Sequence, residues 1–166
     1  MSSAVLSIGS NLGDRLAHLR AAVANLGGAV VAVSPVYQTA PWGPVAQDDY
    51  FNAVVLVDDP AVDARGWLDR AWDCERSAGR VRDVRWGPRT LDVDVVAVDQ
   101  VIQETPDLVL PHPRAHERAF VLVPWLDVAP AAELPGRGPV ADLVRALPAD
   151  ELAGVRRRAD LRLEVE

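Results

Sequence analysis

Asp92 and Asp94 stand one residue apart in the stretch RWGPRTLDVDVV, where a basic loop runs into a β-branched apolar run. In an extended chain, residues i and i+2 project to the same face. The spacing therefore puts both carboxylates on one side, with Val96 and Val98 continuing that side as core. Val93, Val95 and Ala97 are expected on the other side. Two like charges at the rim of an apolar face repel one another and resist burial. A hard divalent cation relieves this, and Mg²⁺ is typically held by one or two carboxylates plus the phosphates of a substrate. The plainer reading is a solvated strand end carrying two acids.

The neighbouring residues favour the first reading. Arg76, Arg80, Arg82, Arg85 and Arg89 crowd the segment just before the acid pair, in a chain of formal net charge -7. Arginine forks match phosphate oxygens bidentately. Metal-binding carboxylates beside an arginine cluster are what phosphoryl-type transfer requires: charge neutralisation and positioning. The chain has no lysine, so a Schiff base and a P-loop are both excluded. It also lacks the H-R-D and D-F-G motifs of protein kinases.

Three further groups are candidates. His112 lies between two prolines in LPHPRAHER, with Arg118 six residues on, and this rigid loop suits a phosphate contact. Zinc at His112 and His116 lacks Cys or acidic companions at ligand spacing. Tyr50 and Asn52 share a strand face, and Phe120 begins a helix. Two rings and an amide can sandwich a flat heterocycle and read its edge, although such residues are commonly core. Glu75 extends the apolar stripe of a helix by one turn. It is either a carboxylate supporting the site or an exposed acid at a fraying end.

Apolar period and turn residues predict a strand at 4–8 and a helix from Arg15 to Leu26, with Asp14 as its N-cap and Gly27-Gly28 as its stop. A strand at 29–39 contains Pro35, which implies an edge or a bulge. Strands at 50–57 and 91–98 flank a helix at 62–76 that Gly79 ends. Short extended pieces at 101–102 and 108–110 surround a turn at Thr105-Pro106. A helix at 119–128 contains Pro124, and another amphipathic stretch spans 140–147. The order implies an α+β fold: a ferredoxin-like split βαββαβ core with a four-stranded antiparallel sheet and helices on both sides. The 166 residues fit a single domain, with 150–166 a tail of unassigned role that is either a last strand or a solvated end.

The acidic balance argues against nucleic acid and anionic membrane partners. A single cysteine, Cys74, and an N-terminus without a signal-like pattern make the cytoplasm the expected location. On residues alone, two other functions stay open: a Mg²⁺-dependent nucleotidyl transferase, and a non-enzymatic module for a small ligand.

Taken together, SIGSNLGDR, YQTAPWGPVAQDDYFNAVV, GRVRDVRWGPRTLDVDVV and LPHPRAHERAFVLVPWLDVAP resemble the 6-hydroxymethyl-7,8-dihydropterin pyrophosphokinase family of folate biosynthesis. The resemblance covers the chain from about Val5 to Pro130. It implies an ATP-dependent transfer of pyrophosphate to the pterin hydroxymethyl group with release of AMP, by a monomer using two Mg²⁺ ions. It implies Asp92 and Asp94 as metal ligands and Arg80, Arg82 and Arg89 as catalytic arginines. Trp86, His112 and Arg118 then fall on the nucleotide side, and Thr39, Trp42, Tyr50, Asn52 and Phe120 on the pterin side. The stretch from Arg82 to Trp86 is one residue shorter than in the best-known member. The segments 10–13, 41–49 and 80–88 surround the implied site and are expected to close over it.

Overall fold

The computed structural model describes residues 2–40, 47–78 and 90–163. In chain order the elements are β1 (Ser3–Ser10), α1 (Arg15–Leu26), β2 (Val30–Val33), β3 (Val36–Thr39), β4 (Tyr50–Asp58), α2 (Ala64–Ser77) and β5 (Asp92–Val98). They continue as β6 (Gln103–Glu104), β7 (Val109–Leu110), α3 (Ala119–Val128), β8 (Glu133–Leu134), β9 (Gly138–Pro139), α4 (Val140–Ala146), α5 (Ala149–Ala153) and β10 (Val155–Arg158). The main sheet runs β10-β3-β4-β1-β5, with β2 also paired to β4. All of its pairings are antiparallel. Two short hairpins, β6-β7 and β8-β9, lie apart from it.

The sheet thus has six strands rather than the four expected. Two physical causes account for the difference. The strand expected over 29–39 divides at Ser34-Pro35, because proline carries no N–H for the ladder. Ser34 bridges the gap: its backbone N–H donates to Val54 O at 2.9 Å, and its hydroxyl accepts from Val54 N at 2.8 Å. β10 then adds to the free edge of β3, setting Arg156 opposite Gln38 and Arg158 opposite Val36.

The two long helices begin where the sequence places caps. The Asp14 carboxylate accepts from Ala17 N, and the Asp63 carboxylate accepts from Gly66 N at 2.7 Å. Gly27, at φ 56°, ends α1 in a conformation that glycine adopts without strain. Described residues of α2 end at Ser77 with Ala78 as cap, so the expected stop at Gly79 lies outside the described residues.

Each face of the sheet buries its own core. On one face Leu6, Ile8, Val55, Val57, Val93 and Val95 pack with Leu19 and Leu26 of α1 and Trp67 and Ala71 of α2. On the other, Val54, Val96 and Ala97 pack with Val121, Leu122 and Trp125 of α3 and Val140 of α4. Each large side chain so buried contributes about 1.5–3 kcal/mol. The expected partition of β5 is corrected at its far end. A register shift opposite Val5 and Leu6 leaves Val96 as an extra residue in β5. Ala97 therefore joins Val96 on the α3 face, and Val98 turns to the α1 and α2 face. The irregularity lies beyond Asp94, so the two aspartates keep the same face. No described helix is long and apolar enough to cross a membrane.

Candidate active site

Sheet register aligns the candidate residues in one row. Tyr37 on β3 pairs with Asn52 on β4, Asn52 pairs with Gly9 on β1, and Gly9 pairs with Asp92 on β5. The flanking pairs are Thr39 with Tyr50 on one side and Ser7 with Asp94 on the other. Adjacent strands lie about 4.8 Å apart, so Asn52 and Asp92 sit roughly 10 Å from each other across Gly9. By the two-residue period they share the sheet face that carries α3.

Gly9 makes this row possible, and its type and spacing alone do not single it out. A Cβ at Gly9 would lie 2.7 Å from Asn52 Oδ1 and 3.4 Å from Tyr50 Cδ1. The missing side chain lets the Asn52 amide lean across β1. Asn52 is buried, and its Nδ2 donates to Thr39 Oγ1 at 2.7 Å. An amide and a hydroxyl thus stand fixed together on a buried surface.

Asp92 and Asp94 are half-buried at the start of β5. Glu75 supports them from behind. It is buried, and its Oε2 accepts from Val93 N at 2.9 Å, across from α2 to the residue between the two acids. The reading of Glu75 as an exposed acid at a fraying end is thereby overturned.

His112 reaches β5 through its backbone, donating its N–H to Val96 O at 2.8 Å. Its Nδ1 accepts from Arg114 N at 3.2 Å, which leaves the ring proton on Nε2. Burial, and then the positive charge of Arg118, push the His112 pKa down to about 4, while Asp92 opposes the shift. The ring is therefore neutral at pH 7 and offers an Nε2–H. Arg118 caps α3, its carbonyl accepting from Val121 N and Leu122 N, and its guanidinium lies 5.5 Å from the centroid of the Phe120 ring. Phe120 is half-buried at the start of α3.

A side-chain hydrogen bond also ties α3 to the sheet. The Tyr37 hydroxyl donates to Asp127 Oδ2. Burial, followed by this bond, raises the Tyr37 pKa well above the ordinary tyrosine value, with Arg157 opposing. Tyr37 reads from sequence as one more aromatic in a strand, and only the packing of α3 over β3 pairs it with Asp127.

Trp42, Arg80, Arg82, Trp86 and Arg89 lie outside the described residues. The others form two groups on the α3 side of the sheet. Asp92 and Arg118 both act electrostatically on His112, and Asp94 follows Asp92 on its strand. Thr39, Tyr50 and Asn52 adjoin across β3 and β4. Among the described residues no group of three or more His, Cys, Asp or Glu side chains could by itself hold a metal ion.

The family model of 7,8-dihydro-6-hydroxymethylpterin-pyrophosphokinase matches residues 5–130. The chain belongs to this family. A Mycobacterium tuberculosis relative, named 2-amino-4-hydroxy-6-hydroxymethyldihydropteridine pyrophosphokinase, is 51% identical over 163 residues, covering 90% of this chain and 87% of its own. Its Mycobacterium leprae namesake is 56% identical over 169 residues, covering 94% and 88%. The Bacillus subtilis pyrophosphokinase is 38% identical over 134 residues, covering 78% and 80%. Among solved structures, a Plasmodium falciparum HPPK-DHPS shares the fold at TM-score 0.66 and 12% identity, with 87% of this chain covering 45% of that one. An HPPK-DHPS in complex with substrates matches at TM-score 0.66 over 43% of its length. This chain spans under half of those two. The family-model match ends at residue 130, so α4, α5 and β10 lie beyond it, although the mycobacterial relatives cover 90–94% of the chain.

Proposed function

We infer that this chain transfers pyrophosphate from ATP to the hydroxymethyl group of 6-hydroxymethyl-7,8-dihydropterin and releases AMP, as a step of folate biosynthesis. Family membership supports the reaction. The observation that supports the site is the row Tyr37–Asn52–Gly9–Asp92, in which the Asn52 amide and the Asp92 carboxylate share one face across a residue without a side chain.

Asn52 and Thr39 supply hydrogen-bonding groups for the edge of the pterin, and Tyr50 and Phe120 supply its two ring faces. Trp42 is assigned to the same pocket on the resemblance alone. The hydroxymethyl arm then points along the row toward β5. Its oxygen attacks the β-phosphorus of ATP. A new O–P bond forms, the bond from the β-phosphorus to the α,β-bridging oxygen breaks, and AMP leaves with the electron pair. The hydroxyl proton passes to a nearby carboxylate or water. Transfer of this kind depends mainly on positioning and charge neutralisation. The neutral His112 donates Nε2–H to a phosphate oxygen, and Arg118 adds a full positive charge. Arg80, Arg82 and Arg89 are assigned to the triphosphate and Trp86 to the nucleotide, on the resemblance alone.

Asp92 and Asp94 fit magnesium: two hard oxygen donors, half-buried, on one face of a strand whose backbone Glu75 holds. Two carboxylates are enough where substrate phosphates complete the shell. When bound, the two ions neutralise triphosphate charge and polarise the reacting oxygens. We read the core from β1 to β5 as a ferredoxin-like split arrangement with additions, and residues 1–166 as a single domain. The monomeric state is carried by the resemblance alone. ATP as co-substrate and a lone buried cysteine fit the cytoplasm. On the resemblance, the segments 10–13, 41–49 and 80–88 are assigned to the exclusion of water, because hydrolysis of ATP competes.

Incubation with Mg-ATP and 6-hydroxymethyl-7,8-dihydropterin tests the reading. One AMP per pterin pyrophosphate is expected. Release of free pyrophosphate with an adenylylated pterin would establish a nucleotidyl transferase instead.

A further inference from the structure

β10 lies beyond the family-model match and pairs with β3, and its Arg158 reaches the ring of Phe51 on the strand that carries Tyr50. Asp160 holds Arg158 with two bonds, accepting from Nε at 3.0 Å and from Nη2 at 2.9 Å. Arg158 Nη1 donates to Gln38 Oε1 at 2.6 Å. Gln38 Nε2 in turn donates to Asp49 Oδ2 at 2.9 Å. A relay of hydrogen bonds thus runs from the last described turn of the chain to the residue before Tyr50.

The same segment is held on its other side. Arg15 of α1 donates to Asp49 O at 2.9 Å, and its guanidinium stacks 3.9 Å from the centroid of the buried Phe51 ring. Arg158 approaches the same ring at 5.5 Å. Asn11 fixes the two residues before, donating to Gln47 Oε1 at 2.6 Å and to Asp48 O at 3.0 Å. Tyr50 therefore sits between two clamped neighbours. Successive side chains alternate across a strand, so a grip on Asp49 and Phe51 from the α1 side sets the direction in which Tyr50 leaves on the α3 side.

We propose that Arg158 is a positioning residue for Tyr50, so that the terminal strand β10 tunes pterin binding from the far face of the sheet. The Asp160 fork gives the guanidinium one orientation before substrate arrives, and Gln38 passes that orientation to Asp49. In this proposal Arg158 acts through Gln38, Asp49 and Phe51 rather than through substrate. The inference rests on the reading of Tyr50 as a pterin-contacting ring.

Steady-state kinetics of the full chain test it. In Arg158→Ala the pterin KM is expected to rise about tenfold while kcat and the ATP KM stay within about twofold, the pattern of lost ground-state positioning. Gln38→Ala, which removes the middle of the relay, should do the same. Arg158→Lys, which still reaches Gln38, should recover part of the loss. In a Tyr50→Ala background, Arg158→Ala should add nothing further to the pterin KM. Unchanged pterin KM in Arg158→Ala, equal loss of all three kinetic constants, or full additivity with Tyr50→Ala would each overturn the proposal. If Tyr50→Ala itself leaves the pterin KM unchanged, the underlying reading of Tyr50 fails and the proposal with it. If Tyr50→Ala raises that KM and Arg158→Ala does not, the proposal alone fails.

Discussion

The carboxylate of Glu75 accepts a hydrogen bond from the backbone N–H of Val93 at 2.9 Å, gripping the acid-bearing strand between Asp92 and Asp94. A buried acceptor from α2 thereby fixes where β5 begins. Glu75→Ala leaves a buried N–H without this partner, which costs about 1–3 kcal/mol. The melting temperature should fall by several degrees, and turnover should fall further than the folded fraction accounts for. Glu75→Gln keeps an acceptor oxygen and should hold the melting temperature closer to wild type. Thermal melts beside kcat measured well below the transition check both.

Gly9 separates the amide from the acids, and its absent Cβ is occupied by the edge of Asn52. Gly9→Ala forces Asn52 away from its bond to Thr39, and overpacking of this kind costs about 1–3 kcal/mol. Calorimetry should show pterin affinity reduced about tenfold or more, with binding of a nucleotide analogue changed little. Unaltered pterin affinity would mean that Asn52 does not read the heterocycle.

Tyr37 and Asp127 give the protein a signature at high pH. The Tyr37 pKa is raised in the folded state, so above the ordinary value of about 10 the unfolded chain has lost a proton that the native chain still holds. Stability from this group is complete below pH 10 and is lost as pH rises beyond it. Cys74, pushed up to about 11 by burial, adds loss of the same sign that begins nearer pH 9. Denaturant midpoints between pH 9 and 11.5 should fall less steeply above pH 10 in Tyr37→Phe than in wild type. Parallel curves would remove the Tyr37–Asp127 bond from the account.

Local signals carried much of this structure. α1 follows its expected bounds because Asp14, a regular apolar stripe and Gly27 all agree, and α3 follows its own despite Pro124. The acid pair was legible because a two-residue period needs only local sequence. The break at Ser34-Pro35 was half legible: Pro35 signalled irregularity, but the Ser34 bridge to Val54 depends on a partner strand twenty residues away. The far end of β5 misled, since the extra residue at Val96 answers to β1 and not to β5 itself. Glu75, Gly9 and Arg158 act through contacts between distant segments. Their residue types fit many ordinary roles, so register and packing were needed to assign them.

The paired aspartates carry the central claim, and their removal tests it most directly. Asp92→Ala and Asp94→Ala should each fold and bind pterin as wild type does. At saturating magnesium and ATP, turnover should drop at least ~10²-fold, which corresponds to ~2.7 kcal/mol of lost transition-state stabilisation. Near wild-type AMP production by either variant would contradict the account.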